Sequence, residues 1–262
     1  MANIQIGGLY MKLILENRLI HGIPLLECYT LPTDLTTEHI YKKPLLFFNH
    51  GLGSCKEENY SLIIELANHG FYVIAMDAYL HGERLEEPLI SGSQESITKE
   101  VFNIVRRTSR DITYLFKHHY MEHFTSFSVM GISLGGMVAF YTATISENVK
   151  GIIPIIGTPS FVKLAKHEAK RNGFTFNDDA YLDELHVDDP MNHLDHFEKV
   201  KLLMIIGTED EVVPDKWTKQ FYELLVNRGI NSEAKLLEYE VGHLVTDKMI
   251  KDLLAWCVDN LL

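Results

Sequence analysis

The 262-residue chain is hydrophobic at 46% of its positions and charged at 23%, close to the averages for packed globular proteins and far from those of disordered ones. Its net charge of -12, from 36 acidic against 24 basic residues, disfavours nucleic acid or an anionic membrane surface as a partner. Cys28, Cys55 and Cys257 are odd in number and lack a C-x-x-C spacing, so neither a disulfide framework nor a thiolate metal site is expected, and a reducing, cytoplasmic setting fits best.

Residues 1–10 lack the basic start and apolar core of a signal peptide, and no uncharged apolar run approaches the roughly 18 residues that span a bilayer. Residues 10–16 and 23–31 are apolar stretches around Asn17 and His21-Gly22, the pattern of an antiparallel hairpin. Residues 44–50 form a short uninterrupted apolar run ending at Gly51, as expected of a strand buried on both faces. The same design recurs at 71–76, 127–130, 151–156 and 200–206, with a last strand at 235–239. Between these runs, residues 61–69, 97–120, 135–145, 215–227 and 246–260 carry apolar residues at helical spacing. The alternation predicts a three-layer α/β sandwich with a mostly parallel, eight-stranded sheet and N-terminal antiparallel strands. No linker divides residues 1–262, so a single domain is expected. The roughly 40 residues at 160–199, which mix helical stretches with Gly173 and Pro190, exceed a plain crossover and read as a small helical lid inserted over the active site.

One turn in this framework carries chemistry. Gly131-Ile132-Ser133-Leu134-Gly135-Gly136 joins the strand at 127–130 directly to the following helix. A serine in so sharp a turn needs neighbours two positions away that lack side chains, because Cβ atoms there would collide with the flanking strand and helix. The turn lifts the Ser133 hydroxyl to the carboxyl end of the sheet and leaves the Leu134 amide facing a developing oxyanion.

A serine hydroxyl is a weak nucleophile at neutral pH, so a base and a carboxylate to orient it are expected downstream. Gly207-Thr-Glu-Asp-Glu-Val-Val-Pro214 follows a buried strand and places Asp210 in a loop at the same sheet edge. Glu209, Glu211 and Asp215 compete with Asp210 for the acid's role, and spacing alone does not rank them. Among thirteen histidines, position singles out His243: it follows the last strand, and parallel strands bring all their carboxyl ends together.

In this order, G-x-S-x-G-G, G-x-x-D-x-x-V-P and G-H resemble the α/β-hydrolase superfamily, and more narrowly the small bacterial carboxylesterases related to dienelactone hydrolases and to prolyl-oligopeptidase-like catalytic domains. The resemblance implies Ser133, Asp210 and His243 as a catalytic triad. It also assigns Asn49-His50-Gly51-Leu52-Gly53-Ser54 to the oxyanion hole, with the Leu52 amide acting beside that of Leu134. His50 and Gly51 would support this loop. Asp77-Ala-Tyr-Leu-His81-Gly-Glu-Arg84 resembles a D-x-x-x-H-G-x-R segment of these esterases, where Asp77, His81 and Arg84 are expected to brace the loop, Arg84 through a salt bridge in preference to a substrate carboxylate. Cys55 reads as a packed side chain near that loop.

The histidines and carboxylates between His186 and His196 match no sharp metal-ligand spacing and read as a solvated face. Nucleotide-binding glycine signatures are absent. The expected activity is therefore cofactor-free and metal-free hydrolysis of a small-molecule carboxylic ester. Peptide, amide or thioester cleavage by the same residues is the enzymatic alternative. A binding protein that keeps the fold without chemistry is the non-enzymatic one.

Overall fold

A computed structural model describes residues 2–6, 9–33, 42–85, 92–176 and 179–262. Three strands, β1 (Ala2–Ile6), β2 (Leu9–Ile20) and β3 (Ile23–Pro32), pair antiparallel in sequence order. The β2–β3 turn falls on His21 and Gly22, both at positive φ, the conformation that matches the twist of a two-residue hairpin. The first of these two strands runs through Asn17 rather than turning there. Then come β4 (Leu45–Asn49), α1 (Tyr60–Asn68), β5 (Tyr72–Met76), α2 (Gln94–Leu115), β6 (Phe127–Ile132), α3 (Leu134–Ile145) and β7 (Val149–Ile155). The 22-residue α2 continues into a π-helical turn at Phe116–Tyr120. Helices α4 (Phe161–Arg171) and α5 (Asp179–Asp188) precede β8 (Lys201–Gly207), α6 (Lys216–Asn227), β9 (Lys235–Tyr239) and α7 (Asp247–Leu261).

The strands form one sheet in the order β1-β2-β3-β5-β4-β6-β7-β8-β9, parallel from β5 to β9. The eight strands expected from sequence are β2 to β9, and β1 extends the antiparallel edge. Strands buried on both faces feed two apolar layers by alternation: Phe47, Ile74 and Met204 point to one, Phe48, Val73 and Leu203 to the other. The first layer is covered by α2, α3, α4 and α6, the second by α1 and α7.

This topology places the site. Strand order reverses at β4, which pairs with β5 on one side and β6 on the other. Crevices outside the carboxyl ends of parallel strands open at such a reversal. The loop after β4 and the turn after β6 therefore lie side by side.

Residues 160–199 contain α4, α5 and two short 3-10 turns. They are pinned to the body at several points. Asp188 accepts hydrogen bonds from Arg106 of α2 and Tyr141 of α3, and Asp189 caps α4 through the Val162 amide. A hydrogen bond between His167 and the Glu211 carbonyl ties α4 to the loop after β8.

Candidate active site

Ser133 has φ 54 and ψ -109, a region that residues with a Cβ rarely adopt. The adjacent strand β7 and the helix that follows hold it there: its amide donates to Ile155 O at 2.8 Å, and its carbonyl accepts from Met137 in the first turn of α3. The two glycines of the turn are required by contact. A Cβ on Gly131 would lie 2.3 Å from the Gly135 backbone, and one on Gly135 would lie 2.1 Å from Asn49 O. The second collision is thus with the end of the neighbouring β4, and not with the elements flanking the turn. The tight turn and the loop after β4 are packed backbone to backbone.

The Ser133 hydroxyl is 2.8 Å from His243 Nε2, and His243 Nδ1 is 2.7 Å from Asp210 Oδ2. Since the carboxylate only accepts, Nδ1 carries the proton and Nε2 accepts from the serine. Asp210 is oriented in turn, its Oδ1 accepting from the amides of Val212 and Val213 at 2.9 and 2.8 Å. Its side chain is 1% exposed, against 23% for His243. Glu209 and Glu211 point to solvent, and Asp215 pairs with Lys219. Of the four candidate acids, Asp210 alone among the described residues meets the histidine.

The loop after β4 brings Leu52 to Ser133. Leu52, Ser133 and Leu134 all line one cavity of about 240 Å³, whose walls include Val101, Phe102 and Leu164. The Leu134 amide stands in the first turn of α3, where a helix offers no internal acceptor.

Behind this loop lies a buried polar cluster. His50 is fully buried; its Nδ1 donates to Gly51 O at 2.8 Å, and its Nε2 accepts from the Ala78 amide at 3.0 Å. His81 repeats the pattern, donating to Tyr79 O and accepting from the Gly53 amide at 3.0 Å. Both rings are thereby set as neutral tautomers, and burial lowers the pKa of each. Asp77, also fully buried, accepts from the Lys56 amide and ammonium and from the Glu83 amide. Burial pushes its carboxyl up, but the hydrogen bonds from Lys56 outweigh that and hold it below the ordinary range. Arg84 binds Asp111 and the Asp77 carbonyl, so its guanidinium braces the loop.

The profile of the Dienelactone hydrolase family matches residues 45–247, which takes in the loop after β4, the turn at Ser133, Asp210 and His243. The chain belongs to the dienelactone hydrolase family. Membership makes it a hydrolase, and the chain is similar over most of its length to several known proteins. It is 26% identical to YitV of Bacillus subtilis over 223 residues, covering 80% of this chain and 84% of YitV. It is likewise 26% identical to the esterase YjfP of Escherichia coli over 227 residues, covering 82% and 86%. The crystal structure of TT1662 from Thermus thermophilus superposes with a TM-score of 0.76 at 24% identity, covering 94% of this chain and 96% of that one.

Within this dienelactone hydrolase family chain, the residue that sequence reasoning missed is Lys56. It has no exposed side-chain surface, yet it makes ion pairs with Asp77, Glu83 and Glu57. The available signal was positional: Lys56 lies in the loop after β4, and Asp77 directly follows the adjacent parallel strand β5. Of the histidines in residues 186–196, His193 meets His196 edge to face and bonds the Val187 carbonyl, whereas His186 bonds Asn192. Among the described residues no group of three or more His, Cys, Asp or Glu is disposed to hold a metal ion, and no helix is long and apolar enough to cross a membrane.

Proposed function

We propose that the protein is a serine carboxylesterase that hydrolyses small carboxylic esters through an acyl-enzyme on Ser133. The observation that carries this reading is the continuous row from Ser133 Oγ to His243 Nε2 at 2.8 Å and from His243 Nδ1 to Asp210 Oδ2 at 2.7 Å. A base within hydrogen-bond reach of the nucleophile, itself oriented by a carboxylate, is what activation of a hydroxyl requires.

In the first step Ser133 Oγ bonds to the ester carbonyl carbon while its proton passes to His243 Nε2. The resulting imidazolium is stabilised by Asp210, which remains ionised. The negative charge that develops on the carbonyl oxygen is met by the amides of Leu52 and Leu134, which together form the oxyanion hole. The tetrahedral intermediate collapses with cleavage of the ester C–O bond, and the alcohol leaves with the proton from His243. A water molecule then gives its proton to His243 and attacks the acyl carbon. Collapse of the second intermediate releases the carboxylic acid and returns the proton to Ser133.

Residues 160–199 serve as the lid. Through α4 they supply one wall of the cavity at Ser133, and the anchoring of α4 and α5 to the body makes that wall a fixed cap over a small substrate. The esterase name of YjfP supports the choice of ester over amide.

A fluorophosphonate probe tests the nucleophile. The wild type should label on Ser133, and Ser133→Ala should abolish labelling and lower turnover of p-nitrophenyl acetate by about 10⁴-fold or more. Labelling that survives the substitution would refute the assignment.

A further inference from the structure

The cavity at Ser133 is a groove between two helices whose lining changes along its length. From α2 it takes Gln94, Ile97, Thr98 and Val101, and from α4 it takes Leu164, Glu168 and Arg171, spacings that keep each set on one helix face. Thr98 and Leu164 are buried, whereas Gln94 and Arg171 are exposed. The groove therefore runs from an apolar inner end beside Ser133 and Met137 to a polar mouth. At that mouth Glu168 already accepts from Arg171 and Asn172, both at 3.0 Å, so the arginine's charge is answered within the protein.

Ser133, Leu52 and Leu134 line the groove together with Val212 and Val213 of the acid loop, but His243 is not among its described lining residues. This asymmetry distinguishes the two arms of an ester, given the acyl-enzyme reading on which the inference rests. The departing alkoxide has to lie within reach of His243 Nε2 to receive its proton. The acyl carbon stays on Ser133, with its oxygen toward the two amides. An arm that leaves the carbonyl away from His243 and enters the groove is the acyl arm. We infer that the groove between α2 and α4 is an acyl pocket that selects uncharged, medium-length acyl chains, while the alcohol arm lies outside it.

The size follows from the volume. At about 30 Å³ per water-sized group, a cavity of about 240 Å³ holds on the order of eight non-hydrogen atoms, an acyl chain of about six to eight carbons. Val101 and Ile97 set the usable length. Val101 packs against the buried core and sits nearer the inner end; Ile97 lies about one turn further out along α2.

The test is a series of p-nitrophenyl esters from acetate to dodecanoate, set against acetates of alcohols of increasing length. In the wild type kcat/KM should rise about fourfold per methylene up to hexanoate or octanoate, then level or fall. Val101→Trp should lower the octanoate-to-acetate ratio at least tenfold, and Ile97→Trp should move the optimum to an intermediate length. The alcohol series should keep its profile in both variants. A flat wild-type acyl profile, an unchanged ratio in both variants, or a shift confined to the alcohol series would overturn the pocket assignment. Each protein is first titrated with a small fluorophosphonate. Normal labelling of Ser133 with a flat acyl profile sinks the pocket alone, whereas failure of the wild type to label sinks the acyl-enzyme reading and this inference with it. If Val101→Trp neither folds nor labels, Ile97→Trp at the outer position decides.

Discussion

At Ser133 the backbone is held in a conformation that costs on the order of 1–3 kcal/mol, and contacts on both sides keep it there. Gly135 shows how little room the turn leaves. Gly135→Ala puts a methyl group 2.1 Å from a backbone carbonyl of β4, and neither strand nor helix can yield without breaking its ladder. The expected result is a loss of about 1–3 kcal/mol or more in urea-induced unfolding, and an unchanged midpoint would contradict the packing described. The acid gives a second test at this scale. Asp210→Asn should depress kcat by about 10⁴-fold because the amide no longer sets the histidine tautomer, while Glu209→Gln and Glu211→Gln stay near wild type. An equal loss at Glu209 would show that the wrong carboxylate was chosen. Sequence singled out Ser133 and His243 by their places after buried strands, but it could not rank Asp210 over its neighbours. All four carboxylates lie between β8 and α6, and the choice depends on the tight turn in which the Val212 and Val213 amides capture Asp210 Oδ1 and aim Oδ2 inward.

The loops after β4 and β5 act as one braced unit, because His50 and His81 each lend an Nε2 lone pair to a backbone amide on or beside them. His81 holds Gly53, the residue after Leu52. His81→Ala should therefore lower kcat by tenfold or more, within the about 10²–10³-fold that loss of a complete oxyanion donor brings. Fluorophosphonate labelling of Ser133 should persist, and KM should change little. The same histidines set a pH limit on stability. Burial lowers both pKa values in the folded protein, so as pH falls below about 6.5 the unfolded chain takes up protons that the folded one refuses. Their contribution is complete above that pH and is lost on acidification toward the folded values. Asp77 behaves as the depressed acid does: its contribution persists above about 3.9, the unfolded value, and disappears below it as pH falls through the folded one. Urea midpoints should fall between pH 7 and pH 5 in the wild type, and less steeply in His81→Gln. Parallel slopes would mean that His81 contributes nothing. These loops were only half legible beforehand: the glycines and histidines marked them, but a buried lysine is rare enough that composition alone argues against one.

Over the whole chain, the alternation of buried strands with amphipathic helices was readable because strands covered on both faces leave uninterrupted apolar runs such as Leu45–Asn49. The edge was less so. β1 pairs with one neighbour only, and its five residues carry too little pattern to separate a strand from a tail. The order β5-β4-β6 at the centre was also invisible, since no single strand records which neighbour it will take. That order determines when the protein becomes competent. Ser133 and His243 are 110 residues apart in sequence, and β7, β8 and β9 succeed one another in the sheet between the strand that ends at Ser133 and the loop of His243. Such distant pairings form late, because loop closure comes before any contact rewards it. On dilution from urea, far-UV circular dichroism should recover ahead of esterase activity; coincident recovery would mean that the site assembles with the first collapse. A half-folded chain is then chemically silent. On the proposed acyl-enzyme reading it exposes a serine on a turn but no base to activate it, so hydrolysis would begin only once the helical wall beside Ser133 is already standing.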